Sequence, residues 1–273
     1  MLPSFLLTLR EGLEIALILG IVLGALRKLQ HKEFFPVVWV GAASAAVLSM
    51  LIAGVLNVFG ATLEGPAEPV YEGITMLLAA GVLTWMIFWM HHQSRSIKSN
   101  LEAGVRQALI KTGKGAIFAL AFVSVLREGI ELALFFTAAS LASDAHQALF
   151  GALGGFAVAA LLGYALFAST VRLDLGLFFR VTGALLILFA AGLVAHGVHE
   201  LNEVGWVPAL VEHIWDTNFL VAETSFPGQV LKTLFGYNGN PSLTEVLAYL
   251  VYFAAIALGL RRSAAAMTAA QEA

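Results

Sequence analysis

Two short charged motifs interrupt a chain that is otherwise strongly apolar. LREGLEIAL occupies residues 9–17 and LREGIELAL occupies residues 126–134, so one arginine and two glutamates recur in the same order. Seven of the nine letters coincide, and the other two exchange leucine and isoleucine. Side chains of these types could bind a cation, relay protons or form ion pairs with one another.

The spacing within each motif favours cation binding. The two glutamates of a motif are three residues apart and share one helix face, while the arginine lies four residues before the second glutamate. One arginine neutralises only one carboxylate, and a charged group at the bilayer centre costs roughly 2.5–3.5 kcal/mol. Pairing between arginine and glutamate therefore leaves one costly carboxylate per motif unexplained. The predicted metal ligands are Glu11, Glu14, Glu128 and Glu131.

The neighbouring residues of the motifs are predicted to support this site. Arg10 and Arg127 would orient the carboxylates and limit their repulsion when no cation is bound. Gly12 and Gly129 would allow close backbone approach where the first and fourth membrane spans cross. Oxygen ligands without sulfur suit hard cations, and the chain contains no cysteine.

The elements that carry these motifs are predicted to be membrane-spanning helices. The chain is 59% hydrophobic and only 12% charged, with a mean hydropathy of +0.86, whereas soluble domains carry about a quarter charged residues. A spanning helix needs roughly 20 apolar residues. The predicted fold is an all-α integral membrane protein, a single transmembrane domain over residues 1–273, with seven transmembrane helices. These lie at about 4–26, 36–60, 71–91, 116–140, 148–169, 177–199 and 243–260.

The basic residues predict an orientation. Twelve of the 15 lysines and arginines fall in the connections that follow the odd-numbered spans, and the opposite connections carry Lys232 alone. Positively charged connections are typically cytoplasmic. This places the N-terminus outside and the C-terminus inside, with an outer loop at about 200–242.

The two motifs also predict an internal repeat. They are offset by 117 residues, the length of three spans with a connection, so the repeats cover about 1–92 and about 115–200. Because each repeat has an odd number of spans, the second must be inverted relative to the first, and the span at about 243–260 is left over. Inverted repeats with a shared site near the bilayer midplane are typical of transporters.

A second group of polar residues lies towards the predicted outer side. HGVHELNEVGW places His199, Glu200 and Glu203 at the end of the sixth span, and Glu72 begins the third. These residues could form an outer relay that collects cations. Polar residues are also common at exposed helix ends, where a glutamate near the N-terminus is favoured by the helix dipole.

These motifs resemble the duplicated R-E-G-L-E motif of the high-affinity iron permease family, with Ile130 as the one departure. YEGITMLLAAGVLTWMIFWM in the third span, HGVHELNEVGW, and GYNGNPSLTEVLAYLVYF entering the seventh are similar to the bacterial ferrous iron branch, so the resemblance covers nearly the whole chain. It implies iron import across the bacterial inner membrane, with Fe²⁺ or Fe³⁺ held by the motif glutamates. It also implies a periplasmic iron-binding protein and a haem peroxidase as partners.

Other functions remain open at this point. Another cation, lead or manganese, could be the cargo, although the absence of cysteine disfavours soft lead. An intramembrane lipid-pyrophosphate phosphatase is also conceivable, because QSRSIK at 93–98 offers serine and arginine, but these residues lie far from the glutamates in the predicted topology. The expectation is therefore a transporter and not an enzyme. It would have no permanently bound cofactor, iron and membrane lipid as partners, and no nucleic acid.

Overall fold

The structure is a computed structural model that describes residues 2–93, 97–111, 113–141, 145–168 and 175–272. Within these ranges the regular structure is helical, with no strand, which confirms the all-α prediction. The helices are α1 (Leu2–Lys28), α2 (Phe35–Ala61), α3 (Ala67–Gln93), α4 (Ile97–Lys111), α5 (Lys114–Leu141), α6 (Ala145–Ala168), α7 (Leu175–Glu203), α8 (Phe226–Phe235) and α9 (Leu243–Glu272), and a short 3-10 turn covers Lys32–Phe34.

Seven of these helices correspond to the predicted spans, and α4 and α8 are additional. Five segments of the described chain are long and apolar enough to cross a membrane. They are Lys32–Gly60, Ala67–Phe88, His146–Leu166, Gly176–Glu203 and Leu243–Arg262. The helices α1 and α5 have 27 and 28 residues but carry the charged motifs in their middle. A count of seven spans therefore stays a prediction.

Local sequence signals explain where several helices begin and end. Pro36 lies in the first turn of α2, where its missing N–H costs no hydrogen bond. The Ser225 hydroxyl accepts a hydrogen bond from the Gly228 N–H at the start of α8, and Gly236, with φ of 68°, ends that helix in the left-handed region.

The chain divides into two compact units. The first contains α1, α2, α4, α5, α6 and the beginning of α7 as far as Thr182; the second contains α3 as far as Met90, α7 from Gly183, and the helices α8 and α9. Both charged motifs lie in the first unit, and the predicted outer relay lies in the second.

In the first unit α1 packs against α6 through small residues. A Cβ atom at Gly155 would lie 2.9 Å from the Leu9 backbone nitrogen, and one at Gly163 would lie 2.8 Å from the Cβ of Ala16. Since the residue numbers of the contacting positions increase together in both helices, α1 and α6 run in the same direction. Small residues let helix backbones approach this closely.

The same unit contains a second pair of this kind, α2 with α5. A Cβ atom at Gly41 would lie 3.3 Å from the Cβ of Ala121, and one at Gly129 would lie 2.7 Å from the Cβ of Ser49. These positions also rise together, so α2 and α5 are parallel as well. The first helix of each proposed repeat thus packs along the second helix of the other.

In the second unit α3 and α7 cross at two glycines. A Cβ atom at Gly73 would lie 2.9 Å from the Gly197 carbonyl oxygen, and one at Gly197 would lie 3.0 Å from the Gly73 carbonyl oxygen. Helix α9 is tied to α3 by a 2.8 Å hydrogen bond between the Tyr252 and Thr84 hydroxyls. The crossing at Gly73 and Gly197 is next to Glu72 and His199, so it holds the helix ends that carry the predicted relay.

Candidate cation site

The two motifs place charged side chains near the middle of α1 and α5, in the interior of the first unit. Glu11 has no exposed surface, and Glu128 and Glu131 are 6% and 7% exposed. One carboxylate oxygen from each of these three residues can be chosen so that all lie within 4.8 Å of one another. Sequence separation between Glu11 and the other two exceeds 110 residues, so packing of α1 near α5 creates the cluster.

Arginine side chains bind some of the carboxylate oxygens. Arg10 Nε lies 3.2 Å from Glu14 Oε1, and Arg127 Nε lies 3.1 Å from Glu131 Oε1. Arg127 Nε is also 4.0 Å from Glu128 Oε1. Both arginine–glutamate pairs have the spacing of four residues that the motif predicts.

Other carboxylate oxygens in the cluster have no hydrogen-bond partner among the described residues. Both oxygens of Glu11 and the Oε2 atom of Glu131 are buried and unpartnered. A buried carboxylate without a partner is costly, and such groups in folded proteins call for an explanation. A cation bound among these oxygens would supply the missing partner, and hard cations prefer such ligands.

The fourth predicted ligand, Glu14, is positioned differently. Its side chain is 11% exposed and its Oε1 atom binds Arg10, and it is not one of the three residues whose oxygens converge. The structure therefore brings together three of the four predicted ligands. The fourth stays a prediction.

The motif glycines pack against helices other than the predicted ones. We expected Gly12 and Gly129 to mark a crossing of the first and fourth spans. A Cβ atom at Gly12 would instead lie 2.7 Å from the Cβ of Ala159 in α6, and Gly129 meets Ser49 in α2. The periodicity of a helix shows which residues share a face but not which neighbouring helix that face contacts, so this part of the prediction was wrong.

The residues of the predicted outer relay lie together in the second unit. The carboxylates of Glu72, Glu200 and Glu203 are near enough to interact electrostatically, and His199 Nε2 lies 3.5 Å from Glu203 Oε1. Glu72 comes from α3 and the others from α7. Acidic residues often cluster at helix ends without a metal, so the outer relay stays a prediction.

Glu245, which the sequence did not single out, organises this region. Its Oε1 atom lies 3.0 Å from His199 Nδ1 and also accepts a hydrogen bond from the Ser242 N–H, while its Oε2 atom accepts one from the Asn238 side chain. The Ser242 hydroxyl accepts a hydrogen bond from the Glu245 N–H in return. This reciprocal pair of hydrogen bonds is a capping box, and its signature S-x-x-E can be recognised in the sequence as SLTE. The contact between Glu245 and His199 cannot be recognised in the sequence.

Buried carboxylates at mid-helix in a polytopic helical chain are typical of membrane proteins that contain an ion or proton pathway. The comparisons with known proteins give the family. The model of the iron permease FTR1 family matches residues 1–270, and this protein belongs to that family, which confirms the resemblance seen in the motifs.

Curated relatives match over almost their full length. The ferrous iron permease EfeU of Escherichia coli O157:H7 is 33% identical over 254 residues, covering 92% of each chain. The ferrous iron permease EfeU of Yersinia pestis is 34% identical over 255 residues, covering 92% of this chain and 90% of its own. No solved structure gives a significant match. The protein is thus a multi-pass membrane protein of an iron permease family.

Proposed function

We propose that this protein imports iron across the bacterial inner membrane, with Glu11, Glu14, Glu128 and Glu131 as the ligands of the transported ion. The observation that carries the proposal is the convergence of three buried carboxylates from two distant motifs, with oxygens that lack partners. Fe³⁺ is a hard cation and Fe²⁺ is a borderline one, and glutamate side chains bind iron in the carboxylate di-iron proteins. The relatives are named as ferrous iron permeases, so Fe²⁺ is the first candidate for the cargo.

Charge balance supports a cation at this position. Two arginines face four glutamates, which leaves two negative charges if all six groups are ionised. A divalent ion would neutralise the cluster. In a low-dielectric interior, this attraction is far stronger than it would be in water.

The wider architecture that we propose is seven spans in two inverted repeats, with the N-terminus outside and the C-terminus cytoplasmic. The parallel pairing of α1 with α6 and of α5 with α2 supports it, because a two-fold axis in the membrane plane exchanges these pairs. The periplasmic iron-binding protein and the haem peroxidase stay predictions from the family resemblance.

Uptake of radioactive iron tests the function. Cells that lack other iron importers would express the protein, and Fe²⁺ kept reduced and chelated Fe³⁺ would be supplied separately. We expect uptake of Fe²⁺ with the wild-type protein and background uptake with Glu11→Gln, which keeps the size but removes the charge. Glu64→Gln, at an exposed glutamate outside the helices, is the matched control. Wild-type uptake at background for both ions, or strong uptake by Glu11→Gln, would contradict the proposal.

A further inference from the structure

A groove of about 600 Å³ lies on the first unit, along the half of α1 that follows the motif. Residues of α1, α2 and α6 form its walls, and most of them are apolar or glycine. Those that define its shape are Gly12, Gly20, Gly24, Trp39, Gly163 and Tyr164. The mechanism proposed above does not use this groove. Among its described lining residues the one charged side chain is Arg27, and a cationic side chain would repel a metal ion.

The mouth of the groove has the chemistry of a lipid head-group site. Arg27 ends α1, Trp39 lies in the second turn of α2 and Tyr164 in the last turns of α6. Because α1 and α6 are parallel and α2 follows α1 directly, all three lie at the same membrane surface. Trp39 and Tyr164 are exposed, as is typical of aromatic residues at the membrane interface. Arg27 forms no ion pair with another described residue.

The dimensions of the groove fit one hydrocarbon chain. Gly12 and Arg27 are 15 residues apart in α1, which corresponds to about 22 Å along the helix. A groove of 600 Å³ has a mean cross-section of about 27 Å² over that length. A methylene chain at van der Waals distance is about 4–5 Å wide, so it fits. The apolar surface of a helix from a second copy would leave the Arg27 charge without a partner, and this argues against a second copy as the occupant.

We propose that this groove binds an anionic phospholipid, with its phosphate on the Arg27 guanidinium and one acyl chain lying along α1 towards Gly12. Guanidinium groups bind phosphate through two parallel hydrogen bonds. The lipid would belong to the leaflet at which α1 ends, which is the cytoplasmic one in the proposed orientation. Membrane embedding is the only property of the protein that this inference requires, so it does not depend on iron transport.

Native mass spectrometry of the purified full-length protein tests the proposal. The delipidated protein would be incubated with equimolar phosphatidylglycerol and phosphatidylcholine, which differ in net charge. We expect the wild type to retain phosphatidylglycerol over phosphatidylcholine by about fivefold, the factor that one basic residue near a membrane surface contributes. Arg27→Gln should abolish the preference. Gly24→Leu should abolish retention of both lipids at this site, because leucine fills the groove.

Two matched controls separate the groove from general effects. Lys28→Gln removes the adjacent exposed charge, which does not line the groove. Gly54→Leu adds the same side chain at an exposed glycine of α2; Gly24 and Gly54 both have nothing within 4 Å of an added Cβ, so both variants should fold. Both controls should keep the preference for phosphatidylglycerol. Equal lipid retention by all variants would overturn the proposal. The proposal would also be overturned if the wild type were a dimer that Gly24→Leu dissociates while lipid retention stays unchanged, because the groove would then bind a second copy of the protein.

Discussion

At the scale of single residues, the proposed site depends on three buried carboxylates whose oxygens converge. If Glu11 and Glu128 hold the same ion, Glu11→Gln and Glu128→Gln should each lower iron uptake at least about tenfold, equivalent to about 1.4 kcal/mol of lost stabilisation. The double variant should be little worse than either single one, because the first change already disables the site. Uptake would be measured per amount of protein in the membrane. Losses that multiply would indicate two independent sites.

The two arginines should differ in their tolerance of lysine. Arg10 is 1% exposed, whereas the Arg127 side chain is 35% exposed. A lysine at position 10 would bury a strongly hydrated ammonium and replace a planar group by a point charge. We therefore expect Arg10→Lys to lose most uptake, and Arg127→Lys to stay within about threefold of wild type, because the less enclosed position leaves the flexible lysine stem room to adjust towards Glu131. Parallel uptake assays of the two variants check this, and equal effects would show that exposure does not decide the outcome.

At the scale of helices, close contacts between small residues set the distance of the motif helices from their neighbours. A Cβ atom at Gly12 would lie 2.7 Å from that of Ala159, so Gly12→Ala should destabilise the packing of α1 on α6 by about 1–3 kcal/mol. Ala159→Gly should restore much of this loss in the double variant. Gly24→Ala, where an added Cβ meets nothing within 4 Å, is the control. Thermal unfolding in detergent would compare the stabilities of these variants. If Ala159→Gly does not restore the stability of Gly12→Ala, another contact is responsible for the loss.

How far the helices could be predicted depended on how each one is buried. The apolar run predicted a span at about 36–60, and α2 is Phe35–Ala61. The two agree because the residues of α2 that face lipid and those that are buried are equally apolar, so the run is continuous. The same approach overlooked α4, whose apolar residues Leu101, Val105 and Ala108 recur with helical spacing in a basic segment. The helices that Gly12 and Gly129 contact could not be predicted, because they depend on tertiary packing and not on the sequence of one helix. Convergence of Glu11 with Glu128 could be predicted because the duplicated motif implied a symmetry between repeats.

At the scale of the whole molecule, the proposed topology predicts which surfaces face outward. A cysteine at Phe219, which is 80% exposed in the segment between α7 and α8, should react with an impermeant thiol reagent added to intact cells. A cysteine at Ser99, exposed near the start of α4, should react only after the membrane is permeabilised. The chain has no cysteine of its own, so each signal comes from one position. Because positive residues are retained on the cytoplasmic side, the basic segment that contains Ser99 should stay protected. Labelling of Ser99→Cys in intact cells, with Phe219→Cys protected, would reverse the orientation and place the groove at α1 in the outer leaflet.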